Sequence, residues 1–290
     1  MSDTLPGAFT AGYAWPAPAK INLFLHITGR RADGYHELQT VFQFLDLADT
    51  LFFVPRGDGV IRRMQDVPGV DEAEDLAIRA ARAIQQASGC NLGADIRVEK
   101  RIPIGAGLGG GSSNAATTLV ALNRLWNLGL TTDELARIGL RLGADVPVFV
   151  RGHAAWAEGV GERLSRVEPS EPWYVVLTPP VAVSTAAIFA APELQRDCPR
   201  IDLAAFESGA ATNVCEPVTT ARHPAVAAAL AWLRRHGAAR MSGTGAAVFL
   251  ACDDRATADA IAAQAQAEGS APCLVVRGRN RSPLVDAAAR

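Results

Sequence analysis

The sequence predicts an α+β fold with mostly antiparallel strands, and three observations carry that prediction. Segments with alternating apolar and polar residues occur in hairpin-like pairs more often than as strand–helix–strand units. Longer segments with a 3.6-residue period begin and end on capping residues. The chain of 290 residues has room for about two domains at roughly 150 residues each.

The elements follow in order. Residues 1 to about 15 are rich in Gly, Pro and Ala and read as a loose tail. From Ala17 to Ile27, Ile21, Leu23 and Leu25 alternate with Asn22 and His26, which predicts a strand, and Asp33-Gly34 supplies a turn. Glu37–Val54 is rich in Val, Phe and Thr; its interruption at Ala48-Asp49 predicts two strands. Asp75 opens an apolar-periodic helix through Ile84, closed by Gly89. Ala94–Ile102 alternates cleanly and reads as a strand. A glycine-rich loop follows at 105–111, then a helix from about Asn114 to Leu128, and a second from Thr132 to Gly143. Residues 146–150 and 153–157 read as short strands.

The run Val167-Glu-Pro-Ser-Glu-Pro172 is the best linker, which places the domain boundary between 166 and 167. The domains expected are therefore 1–166 and 167–290. Beyond the linker come a strand (173–178), a short helix from Ser184 and a longer helix (224–236). Two strands around Ser242–Gly245, a helix (254–268) and a strand (273–277) complete the chain. No internal repeat is present.

Composition excludes several classes. Hydrophobic residues make up 49% and charged residues 20%, too apolar for a disordered chain. A chain of this mass can bury about 70% of its unfolded surface, so cores need no disulfide or metal staples. With 28 Lys+Arg against 30 Asp+Glu, the net charge is −2, which argues against nucleic acid or an anionic membrane as partner. Any contact with phosphate must then be local. Five Cys, an odd number without a C-x-x-C pair, fit a reduced cytoplasmic chain better than a disulfide or zinc scaffold. The N-terminus lacks the pattern of a signal peptide, and the apolar stretch Ala225–Leu233 is far too short to span a membrane. The expectation is a soluble cytoplasmic protein.

The most informative segment is Pro103-Ile104-Gly105-Ala106-Gly107-Leu108-Gly109-Gly110-Gly111-Ser112-Ser113, between a predicted strand and a predicted helix. Glycine lets a ligand approach the main chain with no Cβ in the way. The helix that follows opens with unpaired N–H groups and a partial positive charge, which favour an anion. Ser112 and Ser113 add hydroxyls. A flexible turn with a serine cap is the plain alternative. Gly105-x-Gly107-x-x-Gly110 matches the dinucleotide fingerprint, but no second parallel strand with a terminal acid follows. A P-loop needs Lys after the last glycine, where Ser112 stands. A nucleotide must be held in a third way.

This strand–loop–helix resembles the central motif of the GHMP kinases, named for galactokinase and the homoserine, mevalonate and phosphomevalonate kinases. Pro18-Ala-Lys-Ile-Asn-Leu-Phe-Leu25 and Met241-Ser-Gly-Thr-Gly-Ala-Ala-Val-Phe249 stand where the family has its other two motifs. The resemblance implies a two-domain α+β fold, with an N-terminal domain like domain 2 of ribosomal protein S5 and a ferredoxin-like C-terminal domain. It also implies ATP as co-substrate and Mg2+, whose protein ligands the sequence does not identify.

Three segments, Gly29-Arg-Arg-Ala-Asp-Gly-Tyr-His36, Gly143-Ala-Asp-Val-Pro-Val-Phe149 and Gly152-His-Ala-Ala-Trp-Ala-Glu-Gly-Val-Gly161, are similar to one branch of the family. That branch phosphorylates an alcohol linked to cytidine diphosphate, by implication the tertiary 2-hydroxyl of a methylerythritol in non-mevalonate isoprenoid synthesis. Under this resemblance Asp145 matches the catalytic base and Lys20 its partner at the transferring phosphoryl. Tyr35 and Phe189 match the aromatic faces around the cytosine, and His36 the group at its edge. Asn22 and Thr185 are candidates for the substrate chain, and Lys100 for the neighbourhood of the adenine. Plain alternatives stand beside these: Asp145 as a turn cap before Pro147, Lys20 as an exposed strand lysine, and Phe189 as core of a short helix. Asp75 stands where an Asn is more usual, which puts an adenine contact by its side chain in doubt. The competing functions are another small-molecule GHMP kinase and, at greater distance, a dinucleotide-dependent oxidoreductase. The association state expected is monomer or homodimer.

Overall fold

A computed structural model describes residues 14–32, 34–67 and 69–289. The expected tail therefore falls outside the described residues except for Ala14 and Trp15, as does Asp33 of the first turn. The two longest strands form a hairpin: β1 (Ala14–Arg30) pairs antiparallel with β2 (His36–Arg56). β2 is one strand, where two were expected. Ala48 and Asp49 stay paired, with Pro18 and Ala17, and the irregularity is a register shift beside them, since Pro18 faces Ala48 while Lys20 faces Phe44. Such a bulge bends the pair and re-aims side chains without ending the ladder.

β4 (Gly93–Glu99) pairs with β2 on its other side, and the short β3 (Ile61–Arg63) adds a parallel edge. Helix α1 (Leu76–Ser88) is capped as its sequence predicts. The Asp75 carboxylate accepts from the Ala77 N–H, and Gly89 closes the helix in the left-handed conformation at φ 66°. α1 lies against α2 (Gly110–Leu125), and α3 (Thr132–Leu140) opens on a capping box between Thr131 and Glu134.

Two sequence expectations are corrected here. Helix α2 begins at Gly110, four residues before Asn114, so the last glycines of the loop are its first turn. Residues 146–150 are not a strand but lie in a short helix, α4 (Val146–Arg151), with Pro147 in its first turn and Gly152 at its C-cap. All five residues from Val146 to Val150 are buried, and an apolar run buried on every side carries no period to separate helix from strand. Pro fits the first turn because the missing N–H has no helical partner there.

Strands β5 (Ala155–Gly159) and β6 (Arg163–Arg166) extend the sheet from β2. After the irregular stretch 167–172 come β7 (Trp173–Leu177), α5 (Thr185–Phe189), α6 (Leu203–Glu207), α7 (Glu216–Arg222) and α8 (Pro224–Arg234). β8 (Arg240–Met241), β9 (Val248–Cys252), α9 (Arg255–Ala267), β10 (Cys273–Arg279) and α10 (Pro283–Ala289) complete the chain. The elements α6, α7, α10, β3 and β6 have no counterpart in the sequence reading. Among the described residues the main path of the sheet runs β3-β4-β2-β10-β7-β9-β8. β10 joins the halves: it pairs with β7 along its length and with β2 at Gly278 and Arg279. α10 packs back on β1 and α2, which carries Leu284 into the N-terminal core.

The apolar side chains gather in three clusters. One lies between α1–α4 and the β1/β2/β4 face, and one between α7–α9 and β7/β9. The third joins Ile21, Phe24 and Leu108 to Tyr174, Val176 and Phe249 across the two halves. Beside this shared core the loop at 105–109 meets the turn at 243–245.

Candidate active site

The loop geometry follows from two glycines. Gly107 and Gly109 have φ of 75° and 74°, a region that L side chains rarely enter. A Cβ on Gly107 would stand 2.4 Å from the Gly245 carbonyl oxygen; on Gly109 it would stand 2.8 Å from Phe149 Cζ and 2.9 Å from Lys20 Cγ. The main chain of the loop is thus wedged between the C-terminal turn and the Lys20 side chain. Ala247 N–H donates to Ala106 O at 2.9 Å, and Lys20 N–H to Leu108 O at 2.9 Å. Gly109 is the N-cap of α2, and the first helical bond there is Ser113 N–H to Gly109 O. The amides of Gly110, Gly111 and Ser112 are left for an anion.

Two cavities flank this loop. The smaller, about 360 Å³, is walled by residues 103–112 together with Asp75, Lys100 and Asn114. Of the nucleotide-side residues expected, Ser113 alone is not in its wall; its hydroxyl is buried without a hydrogen-bond partner. The larger cavity, about 1150 Å³, brings together Lys20, Asn22, Tyr35, His36, Asp145, Thr185 and Phe189. Gly107 and Gly109 belong to both walls. A phosphoryl group reaching from one side could therefore meet a hydroxyl on the other beside Lys20.

Lys20 is not an exposed strand lysine. It is 4% exposed, and its ammonium lies 3.1 Å from Asp145 Oδ2, 2.6 Å from Asn22 Oδ1 and 3.4 Å from Gly107 O. Asn22 is fully engaged in this arrangement, since its Nδ2 donates to Thr40 Oγ1 at 3.0 Å. Its side chain holds the lysine at a buried site where an unpaired charge would be costly. Asp145 precedes α4, at the start of a helix. Its carboxylate caps no helix N–H and is directed to the ion pair, which disposes of the turn-cap alternative.

At the smaller cavity, Lys100 bonds to the Asp49 carboxylate and, at 3.2 Å, to Asn114 Oδ1. Asp49 is completely buried and accepts further bonds from the N–H groups of Arg101 and Ile102 and from Asn114 Nδ2, at 2.7, 2.9 and 2.9 Å. This cluster ties β2 to the entry of the glycine loop and to α2. The sequence reading missed it, although an Asp within a hydrophobic strand was a signal of a buried polar junction. Asp75 caps α1 and faces Arg63 at 3.5 Å.

At the far end of the larger cavity, Phe189 is half-buried and its ring stacks on His36, with centroids 5.4 Å apart and planes at 22°. Tyr35 is 65% exposed on the rim. The ring of His36 is held below its ordinary pKa by burial first, then by the charges of Arg196 and Arg30. Thr185 Oγ1 lies 3.0 Å from Thr244 Oγ1, so α5 is tied to the late glycine turn. That turn is itself braced by Asn213, whose Nδ2 donates to the carbonyls of Met241 and Gly243, both at 2.8 Å.

Comparison with known proteins shows the family and the fold. The family model described as GHMP kinases N terminal domain matches residues 75–153, and the one described as GHMP kinases C terminal matches 190–271. A curated relative from Nitrosococcus oceani, named 4-diphosphocytidyl-2-C-methyl-D-erythritol kinase, is 53% identical over 94% of this chain and 96% of its own. One of the same name from Halorhodospira halophila is 55% identical over 93% of this chain and 94% of its own. A crystal structure of 4-(cytidine 5'-diphospho)-2C-methyl-D-erythritol kinase superposes with a TM-score of 0.79 at 34% identity, covering 91% of this chain and 98% of that one. Homoserine kinase from Cytophaga hutchinsonii, at TM-score 0.69 and 14% identity, shares the fold. The chain belongs to the GHMP kinases, in the branch whose curated members bear the name 4-diphosphocytidyl-2-C-methyl-D-erythritol kinase.

Proposed function

We propose that this chain transfers the γ-phosphoryl of ATP to the 2-hydroxyl of 4-diphosphocytidyl-2-C-methyl-D-erythritol, giving the 2-phosphate and ADP. One observation carries the reading: the Lys20–Asp145 ion pair stands where the two cavities share Gly107 and Gly109. In this reading residues 1–166 supply the loop and the ion pair, and residues 167–290 supply Thr185, Phe189 and the turn at 243–245.

The chemistry follows from the groups present. The hydroxyl oxygen forms the new bond to the γ-phosphorus while the bond to the β-bridging oxygen breaks and ADP leaves. The hydroxyl proton passes to Asp145, whose half-exposed carboxylate faces the larger cavity. Lys20, held by Asn22, offers fixed positive charge where the three phosphoryl oxygens gather charge in the transition state. The amides of Gly110, Gly111 and Ser112 hold the β- and γ-phosphates from behind. Tyr35, His36 and Phe189 take the cytosine at the other end of the cleft.

Among the described residues no three His, Cys, Asp or Glu side chains converge as a cation cage. The donors fit instead an ion that arrives on the nucleotide, for which the half-exposed Ser112 hydroxyl is the reachable protein group. Mg2+ bound in that way would neutralise charge on the β- and γ-phosphates.

An ADP-release assay with ATP, Mg2+ and separate acceptors tests the reading. Turnover with the diphosphocytidyl alcohol, and none with homoserine or mevalonate, is expected. Turnover with either of the latter instead would overturn it.

A further inference from the structure

We propose that Arg196 is a positioning residue that fixes the tautomer of His36, and that this makes the acceptor site select cytosine over uracil. The inference rests on the cytidine reading above and deepens it. Arg196 lies after α5, outside every motif that the sequence singled out, yet its side chain reaches the wall of the larger cavity. Its guanidinium is held by the main chain around it: Nη1 donates to Leu194 O at 2.9 Å, and Nη2 to Phe189 O at 2.9 Å and Ala191 O at 2.6 Å. Phe189 is the last residue of α5, and its carbonyl, like those of Ala191 and Leu194 in the segment that follows, takes a charge-assisted bond from this cation. The third nitrogen, Nε, donates to His36 Nε2 at 3.1 Å.

A guanidinium has only donors and stays charged at any pH the protein meets. His36 Nε2 must therefore present its lone pair, and a neutral imidazole with a bare Nε2 carries its proton on Nδ1. Protonation of both nitrogens would set two N–H groups against each other. Burial, and then the charges of Arg196 and Arg30, lower the pKa of the ring, which agrees with a neutral His36. Arg196 also bonds the Phe189 carbonyl, so one side chain sets the positions of both rings that stack here.

The consequence is a specificity rule. Cytosine N3 accepts a hydrogen bond, whereas uracil N3 carries a hydrogen and donates. A His36 that can only donate through Nδ1 matches the first and opposes the second. Free histidine can exchange tautomers and adapt to either base, but His36 beside Arg196 cannot. Leaving one buried donor without an acceptor costs roughly ten- to a hundredfold in binding.

Two measurements test this on the full-length enzyme. The first uses protein labelled with 15N in histidine, without substrate, with the His36 signals identified by their loss in His36→Gln. The wild type should show an unprotonated Nε2 and a protonated Nδ1. Arg196→Met should shift His36 toward the Nε2-protonated form, and Arg196→Lys, which keeps a cationic donor, should restore the wild-type pattern. An unchanged His36 tautomer in Arg196→Met overturns the proposal.

The second measurement compares kcat/KM for the diphosphocytidyl alcohol and its uridine counterpart. Arg196→Met should lose at least tenfold of the preference for cytidine, through KM for the acceptor, while KM for ATP stays constant. An equal fall for both bases would mean a structural role and refutes the selectivity. If the wild type phosphorylates neither compound, the substrate reading and the selectivity built on it both fail. The first measurement still decides whether Arg196 sets the tautomer.

Discussion

The two cavities beside the glycine loop are built on opposite principles. The smaller, which the proposed function gives to the nucleotide, is made largely from one contiguous segment, residues 100–114, and presents the free main-chain amides at the start of α2. The larger, which the proposed function gives to the acceptor, draws side chains from β1, the hairpin turn, the start of α4, α5 and the 243–245 turn, more than 200 residues apart in sequence at the extremes. An anion needs only donors and a lack of obstruction, which a short glycine-rich segment supplies by itself. Recognition of a base and alignment of one hydroxyl need side chains fixed in three dimensions, which no single segment can provide.

Variants can break this contrast in order of expected effect. The largest belongs to the acceptor side. Asp145→Asn should lower kcat by about 10²–10⁴-fold while calorimetry still detects ATP binding; near-normal turnover would remove Asp145 as the base. Gly109→Ala strikes the point common to both sides, because its Cβ would meet Phe149 and Lys20 in a strained main chain. A loss of about 2–4 kcal/mol in denaturant unfolding is expected, with kcat and ATP affinity falling together. Unchanged stability would mean that the loop has room to move.

A smaller effect is expected where the nucleotide side does depend on distant residues. Asp49→Asn leaves Lys100 without its anionic partner and removes part of a four-donor cluster. Stability should fall by about 1–3 kcal/mol, and KM for ATP should rise with little change in KM for the acceptor. A rise confined to the acceptor would show that the cluster serves the other cavity. The smallest effect is Tyr35→Ala on the exposed rim. KM for a cytidine-linked acceptor should rise by about five- to a hundredfold, the value of one base stack. An equal rise for ATP would refute a cytosine role.

Local signals were read well where the chemistry itself is local. Asp75 and Gly89 mark the ends of α1 because capping involves neighbours in sequence. The failures have physical reasons as well. Val146–Val150 looked like a strand because uniform burial erased its period. Glu37–Val54 looked like two strands because Ala48-Asp49 breaks the pattern; the structure absorbs the break as a bulge and turns Asp49 inward to the loop entry. Arg196 carried no signal, since an arginine in an irregular segment has no pattern until its partners are known.

The sequence by itself therefore determined the α+β class, the helix caps, the family and the glycine-rich loop between a strand and a helix, all of which depend on residue order over short spans or on motifs kept in order. Tertiary structure alone decided that Lys20 is buried against Asp145 and Asn22, that Gly107 and Gly109 form a wall common to both cavities, and that Arg196 reaches His36. The reason is distance along the chain. Lys20 and Asp145 are 125 positions apart, and His36 and Arg196 are 160 apart. Contacts of that separation are set by how the sheet and its helices pack, and by no property of either segment alone.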